Sequence, residues 1–266
     1  MRRHVSVVVA LATLALTACA AQPTSMAGDS AGPSTPGVGA SDPAVGTVTV
    51  FAASSLKEAF ASLGRAFEAQ HPQATVRFNF GPSSTLATQI VQGAPADVFA
   101  SASITTMETV RAAGLAPQRS SFATNVLEIA TPATSSVAVT RLGDLAAPGV
   151  KVAVCQASVP CGAATRKLFD LNKLVVTPVS EEVDVKSVLS KVVLGEVDAG
   201  IVYVTDVKAA KGGVVGVEIP AAQNVSTTYQ IAAISTGNTG VAGEFVDFVL
   251  SPEGLQVLAA AGFAGP

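Results

Sequence analysis

The sequence predicts an α/β protein, and three observations carry that prediction. Apolar runs of strand length alternate with segments whose apolar residues recur every three or four positions. Of the 266 residues, 49% are hydrophobic and 13% charged, ample for a sizeable core and too apolar for a disordered chain. The body, about 220 residues after a low-complexity stretch, is long enough for two α/β lobes. Strands alternating with helices imply parallel sheets covered on both faces. No short-period repeat is visible.

The elements follow in order. Thr47–Ala53 reads as an apolar strand, and Leu56, Phe60, Leu63 and Phe67 then mark one face of a helix. Thr75–Phe80 is a second strand, Thr85–Val91 opens another helix, and Asp97–Ala100 is a third strand. Asn125–Ala130, Val150–Val154, Gly200–Val204 and Val214–Ile219 read as further strands. Gly162–Leu171, Asp184–Leu194, Glu244–Leu250 and Pro252–Ala261 read as helices.

Composition excludes several functions. The formal net charge is −3, and no basic run occurs outside the first three residues, so nucleic acid is not an expected partner. There are two His, His4 in the leader and His71 before a proline. A His-based metal site or a Ser-His-Asp triad is therefore not expected.

The N-terminus reads as an address. Arg2 and Arg3 precede an apolar segment, Val5–Leu16, too short to span a membrane. Leu16-Thr17-Ala18-Cys19 follows it and resembles a bacterial lipobox. Residues 1–18 are then a signal peptide and Cys19 the lipidated N-terminus, on the outer face of the cell membrane; the alternative is an ordinary signal peptide with an incidental Cys, and either way the protein is exported. Losing Arg2 and Arg3 moves the formal charge from −3 to −5. Residues 19–46 form the lipidated cysteine and a flexible tether: 21 of the 27 residues from Ala20 to Gly46 are Ala, Gly, Pro, Ser or Thr. Cys155 and Cys161 remain. In an oxidising compartment they form a disulfide, and the alternative is two buried thiols.

In open α/β sheets, ligands sit at the loops that lead from strands into helices. Five such loops stand out. Ser55 and Glu58 form an S-x-x-E capping box, with Ser54 as neighbour, and the Ser55 hydroxyl either caps the helix or faces an anion. Gly81-Pro82-Ser83-Ser84-Thr85 places three hydroxyls at a second helix start, readable as a turn with an N-cap. Cys155–Gly162 joins a strand to a helix, Asp184-Val185-Lys186 opens another, and Tyr203 lies near a strand end. Two Ser-rich helix starts after successive strands fit a shared oxyanion site.

These residues resemble a known family. F-A-A-S-S-L-K-E-A-F from Phe51, the run from Gly81 to Ala102, V-P-C-G and E-V-D-A-G-I-V-Y are similar to periplasmic molybdate-binding proteins of ABC importers, and the resemblance extends from Thr47 to Phe263. It implies a two-lobed type II periplasmic-binding-protein fold with a ligand cleft between the lobes. Lobe 1 would comprise 47–123 plus 230–266, and lobe 2 124–229, with crossovers near Thr124 and Tyr229. It implies oxyanion contacts from Ser55, Ser83, the amides of Cys161 and Val185, and the Tyr203 hydroxyl. The ligand is molybdate or tungstate; no cofactor, no cation site and no catalysis are implied. The partners are the permease and ATPase subunits of an importer, and a monomer is expected. The V-P-x-G position more usually holds a small residue than Cys161, and the region Leu171–Asp184 is shorter than the family pattern.

The chemistry is coherent. Molybdate and tungstate are tetrahedral dianions whose oxygens only accept, so neutral N–H and O–H donors satisfy them and a buried carboxylate would repel them. Phosphate near neutrality carries a proton that needs an acceptor, and a donor-only site rejects it. Sulfate carries none, so cavity size alone separates it, and a binding protein for sulfate or another tetrahedral oxyanion is the alternative. An enzyme reading lacks a G-x-S-x-G elbow and a P-loop, and the S-x-x-K from Ser54 to Lys57 has no S-D-N or K-T-G partner. Lys57, Glu58 and Lys186 read as solvated helix residues, and Asp97 as a ligand of backbone amides.

Overall fold

The structure is a computed structural model that describes residues 44–266. The expected signal peptide, Cys19 and all but the end of the expected tether lie outside these residues. Ala44 is buried and Gly46 pairs with Ala74, so the packed body begins ahead of Thr47.

The first half of the body builds β1 (Gly46–Ala53), a 3₁₀ turn (Ser54–Leu56), α1 (Lys57–Gln70), β2 (Ala74–Gly81), α2 (Ser83–Val91), β3 (Val98–Ser101) and α3 (Ile104–Ala112). A long strand, β4 (Ser120–Pro132), leads on to β5 (Val152–Cys155), α4 (Pro160–Leu171), β6 (Ser180–Glu182), α5 (Val185–Val193), β7 (Ala199–Tyr203), α6 (Val204–Ala209) and β8 (Val214–Glu218). The chain returns along β9 (Ser226–Ala233) and ends in α7 (Thr239–Leu250) and α8 (Pro252–Ala261).

This is the two-lobed α/β fold of periplasmic binding proteins. The first lobe carries the strand order β2-β1-β3-β9-β4 and the second β4-β7-β5-β6, with β8 on the other side of β4. β1 runs parallel to β2 and β3, and β5 parallel to β6 and β7. The sheets are nevertheless mixed, which corrects the all-parallel expectation. β9 is antiparallel to β3 and β4, and β4 is antiparallel to β7 and β8. The reason is connectivity: β4 and β9 carry the chain out of one lobe and back, side by side, and so must run in opposite senses.

Three apolar clusters hold the body. Leu56 of the 3₁₀ turn and Phe60, Leu63 and Phe67 of α1 meet Phe122, Phe245 and Phe248 on one face of the first sheet. Leu86, Ile90, Phe99 and Met107 cover its other face. Leu127, Ile129, Leu168, Val188 and Ile201 lie in the core of the second lobe. Asp97 ties the first lobe together as a backbone ligand: it accepts from the amides of Thr49 (2.7 Å) and Asn238 (2.6 Å). α3, β6, α6 and β9 are additions to the elements read from the sequence.

Candidate functional site

Two helix starts from each lobe converge on one small cavity. Its walls include Ser54 and Ser55, Ser83, Cys161, Asp184, Val185 and Tyr203. Ser55, Ser83, Cys161, Val185 and Tyr203, singled out from the sequence, are therefore brought together. The cavity measures about 20 Å³ as traced by the centre of a water molecule. That corresponds to a ball of about 3 Å radius once the water's own radius is restored, the size of one dehydrated tetrahedral ion. Grooves of 420–730 Å³ lie elsewhere, but none is lined by a buried polar side chain that lacks a partner.

Local sequence explains the geometry. Pro82 precedes α2, and the first intrahelical bond runs from the Leu86 amide to the Pro82 carbonyl. The amides of Ser83, Ser84 and Thr85 are thus left without helical acceptors. Pro160 opens α4 and has no N–H, so the Cys161 amide is the first donor of that helix. Gly162 is required there, because a Cβ would strike the Gln156 carbonyl. The Cys155–Cys161 disulfide closes the same loop over a Cα–Cα distance of 5.7 Å. Val185 opens α5 behind Asp184, and α5 lies close on β7 because Gly200 has no side chain: a Cβ there would sit 2.8 Å from Val188 and Val192.

The hydroxyls differ from the capping reading. Ser55 caps nothing, and the Ser55–Glu58 capping box is absent, because a 3₁₀ turn intervenes before α1. Its Oγ lies 2.9 Å from the Tyr229 hydroxyl. Ser83 Oγ accepts from the Ala102 amide at 3.0 Å and is the first helical residue, not the cap. Tyr203 is fully buried and its hydroxyl has no hydrogen-bond partner. Burial pushes its phenol far above the ordinary value, so it remains a neutral donor.

Among the described residues no lysine or arginine lines the cavity, and the attraction for an anion comes from amides and helix dipoles. One carboxylate does line it, against the expectation of donors alone. Asp184 accepts from the Ser187 amide (2.9 Å) through Oδ1 and from the Ser54 hydroxyl (2.9 Å) through Oδ2. The N-terminus of α5 and these donors offset its charge.

Beside the cavity lies a charge network that corrects the reading of Glu58 and Lys186 as solvated. Lys186 Nζ is 2.8 Å from Asp206 Oδ1 and 2.6 Å from Glu58 Oε2. Asp206 is fully buried and also accepts from the Tyr203 amide at 3.1 Å. Burial pulls the Lys186 ammonium down, but the Asp206 and Glu58 carboxylates overcome it and hold its pKa above the ordinary lysine value. Tyr229 and this network were the functional neighbours that sequence reasoning missed. The scarcity of tyrosine, two in the chain, was the one signal that pointed to Tyr229.

Comparison with known proteins then fits the geometry. The profile of the bacterial extracellular solute-binding protein family matches residues 48–264. The chain belongs to this family. Its relatives include the molybdate-binding protein ModA of Mycobacterium tuberculosis, 44% identical over 222 residues, covering 83% of this chain and 85% of that protein. ModA of Haemophilus influenzae is 30% identical over 242 residues, covering 86% and 94%. Among solved structures, the periplasmic molybdate-binding protein of Azotobacter vinelandii superposes with a TM-score of 0.74 at 22% identity, over 82% of this chain and 99% of that one. The sulfate-binding protein SubI of Mycobacterium tuberculosis superposes at 0.71 with 19% identity, over 82% and 86%. Proteins of this fold are thus named for different oxyanions, and the fold alone does not choose between them.

Proposed function

We propose that this chain is an extracytoplasmic substrate-binding lipoprotein that captures molybdate, and with it tungstate, and hands it to the permease of an ABC importer. The observation that carries the reading is the convergence of four helix starts and the unpartnered Tyr203 hydroxyl on a cavity of single-ion size. Ser55 and Ser83 donate through their hydroxyls and amides, Cys161 and Val185 through amides, and Tyr203 through its phenol. The names of the mycobacterial relatives support the choice of molybdate among oxyanions. The leader sequence supports export with residues 1–18 removed and lipid on Cys19. Lobe 1 then comprises 47–123 with 230–266, and lobe 2 124–229.

Capture needs no covalent chemistry. The two lobes close on the ion, strip its water and supply donors in exchange. The closed surface is what the permease reads. Calorimetry on the chain from Ala20 tests this, since Ala44 belongs to the core and must be kept. Tight molybdate heats with weak sulfate and phosphate heats are expected. Ser55→Ala and Ser83→Ala should each weaken molybdate by roughly 1–3 kcal/mol. Equal affinity for sulfate would move the protein to sulfur uptake, and wild-type affinity in both variants would remove the serines from the site.

A further inference from the structure

We propose that Tyr229 is a positioning residue for the oxyanion cavity: its buried hydroxyl donates to Ser55 Oγ and thereby turns the Ser55 proton toward the ligand. The inference rests on the proposed reading of the cavity. Tyr229 stands on β9, does not line the cavity, and is fully buried. The 2.9 Å contact between its hydroxyl and Ser55 Oγ allows either atom to donate.

The surroundings choose the direction. The Tyr229 ring is packed edge-on against Phe122, Tyr203 and Phe263. The Tyr203 hydroxyl lies close by but stands beyond ordinary hydrogen-bond length, so Ser55 Oγ is the oxygen within full reach of the phenol proton. The nearby Asn125 amide is oriented by its own contacts: Oδ1 accepts from the Val126 amide at 3.0 Å and Nδ2 donates to Thr205 Oγ1 at 2.9 Å. Asn125 Oδ1 is thus already engaged by Val126, and Nδ2 has a second N–H to offer Tyr229. Were Ser55 to donate to Tyr229, the phenol proton would be stranded in the core, at the cost of an unsatisfied buried donor. With Tyr229 donating, the spare proton is that of Ser55, and it lies in the cavity, where an oxyanion accepts it. Burial also raises the Tyr229 phenol well above its ordinary value, so it keeps the proton it donates.

Ser83 is set in the same way by another donor, the Ala102 amide. Both serines therefore accept one hydrogen bond from the protein and keep their proton free. The consequence is selectivity. A fully deprotonated dianion takes both serine protons, whereas hydrogen phosphate brings a proton of its own, for which the wall offers only Asp184, already accepting from Ser54 and the Ser187 amide.

The test is a double-mutant cycle of Tyr229→Phe and Ser55→Ala, read by molybdate titration and by competition with phosphate at pH 7. Tyr229→Phe removes one oxygen and keeps the ring. It should weaken molybdate about tenfold in the wild-type background and leave affinity within about twofold in Ser55→Ala. It should also lower the molybdate-to-phosphate ratio about tenfold or more, because the freed Ser55 can turn and accept. An equal loss in both backgrounds with an unchanged ratio would mark Tyr229 as merely structural and overturn the proposal. No loss in either background would also overturn it. Ser55→Ala with wild-type affinity would instead remove the reading of the site on which the proposal stands. Should Tyr229→Phe fold poorly, 3-fluorotyrosine in place of both Tyr makes each phenol a stronger donor and a weaker acceptor. Molybdate affinity equal to or tighter than wild type is expected, and a loss of about threefold or more would refute the assigned direction.

Discussion

Replacing Lys186 by methionine should destabilise the protein far more than an ordinary surface lysine would. Asp206 is fully buried, and its Oδ1 faces Lys186 Nζ at 2.8 Å. Removing the ammonium leaves Asp206 in the core with the Tyr203 amide as its remaining donor, and because burial already raises its pKa it must either stay charged at a cost or take up a proton. Breaking a fully buried pair costs about 3–5 kcal/mol. The Lys186 side chain is 20% exposed, so solvent screens part of the interaction and about 2–4 kcal/mol is expected. For a body of this size each kcal/mol moves the midpoint by about 2–4 °C, so the melting temperature should fall by about 4–16 °C. Glu58 is half exposed, and Glu58→Gln should cost less than about 1 kcal/mol. The decisive control is Lys186→Met with Asp206→Asn, which removes the stranded charge and should recover at least half the loss. Thermal and urea unfolding read all three variants against the wild type. A loss under about 1 kcal/mol in Lys186→Met, or no recovery in the double variant, would refute the account. The pH dependence has a definite sign. The folded Lys186 pKa is raised, so its contribution is fully present below the ordinary lysine value and is lost as pH rises through the raised one.

Three further outcomes are expected. Reducing Cys155–Cys161 frees a short loop and should cost about 2 kcal/mol, seen as a lower melting temperature under reductant, with molybdate binding largely kept. Gly162→Ala drives a methyl into the Gln156 carbonyl, so both stability and molybdate affinity should fall, whereas Gly143→Ala, where a methyl meets nothing, should leave both unchanged. Asp144 accepts from the Thr140 amide and the Arg141 side chain, which hold its pKa at about 2; its contribution is present above the ordinary aspartate value and lost as pH falls through about 2, as carboxyl NMR titration would show.

What the sequence revealed has a physical pattern. Strand-to-helix junctions are local events, punctuated by Gly81-Pro82, by Pro160 and by Ser or Asp at helix starts, so four of the site's corners were legible. α3 was not, because Ile104-Thr105-Thr106-Met107 is rich in β-branched residues, and only Met107 and Val110 of that helix are buried. β9 begins Ser-Thr-Thr and does not alternate cleanly between buried and exposed, since it passes from one lobe to the other. Its antiparallel run beside β4 therefore escaped the parallel-sheet rule. The polar contacts were least legible. Ser55 and Tyr229 are 174 positions apart and Ser54 and Asp184 130, and no local period carries such a pairing. Lys186 looked like a solvated helix residue because its neighbours in sequence are those of an exposed turn; its charge partners come from α6 and α1.

Under the proposed reading, the same long-range contacts set which ion fits. Donors reach the cavity from both lobes, so the distance between lobes fixes the distance between donor sets. A smaller tetrahedral ion would be gripped by both only if the lobes closed further. The Ser54–Asp184 contact at 2.9 Å and the Glu58–Lys186 contact at 2.6 Å already join the lobes at full hydrogen-bond approach. The Glu58–Lys186 pair is at its limit and the Ser54–Asp184 pair can shorten by only about 0.2–0.4 Å, so together they act as stops on closure as well as bonds across it. Size selection then does not require a rigid one-piece cage; it follows from two halves whose closest approach is limited by polar side chains outside the donor set. Ser54→Gly removes one stop without touching a proposed donor. The molybdate-to-sulfate affinity ratio should fall in that variant, and an unchanged ratio would place the size filter in the cavity walls instead.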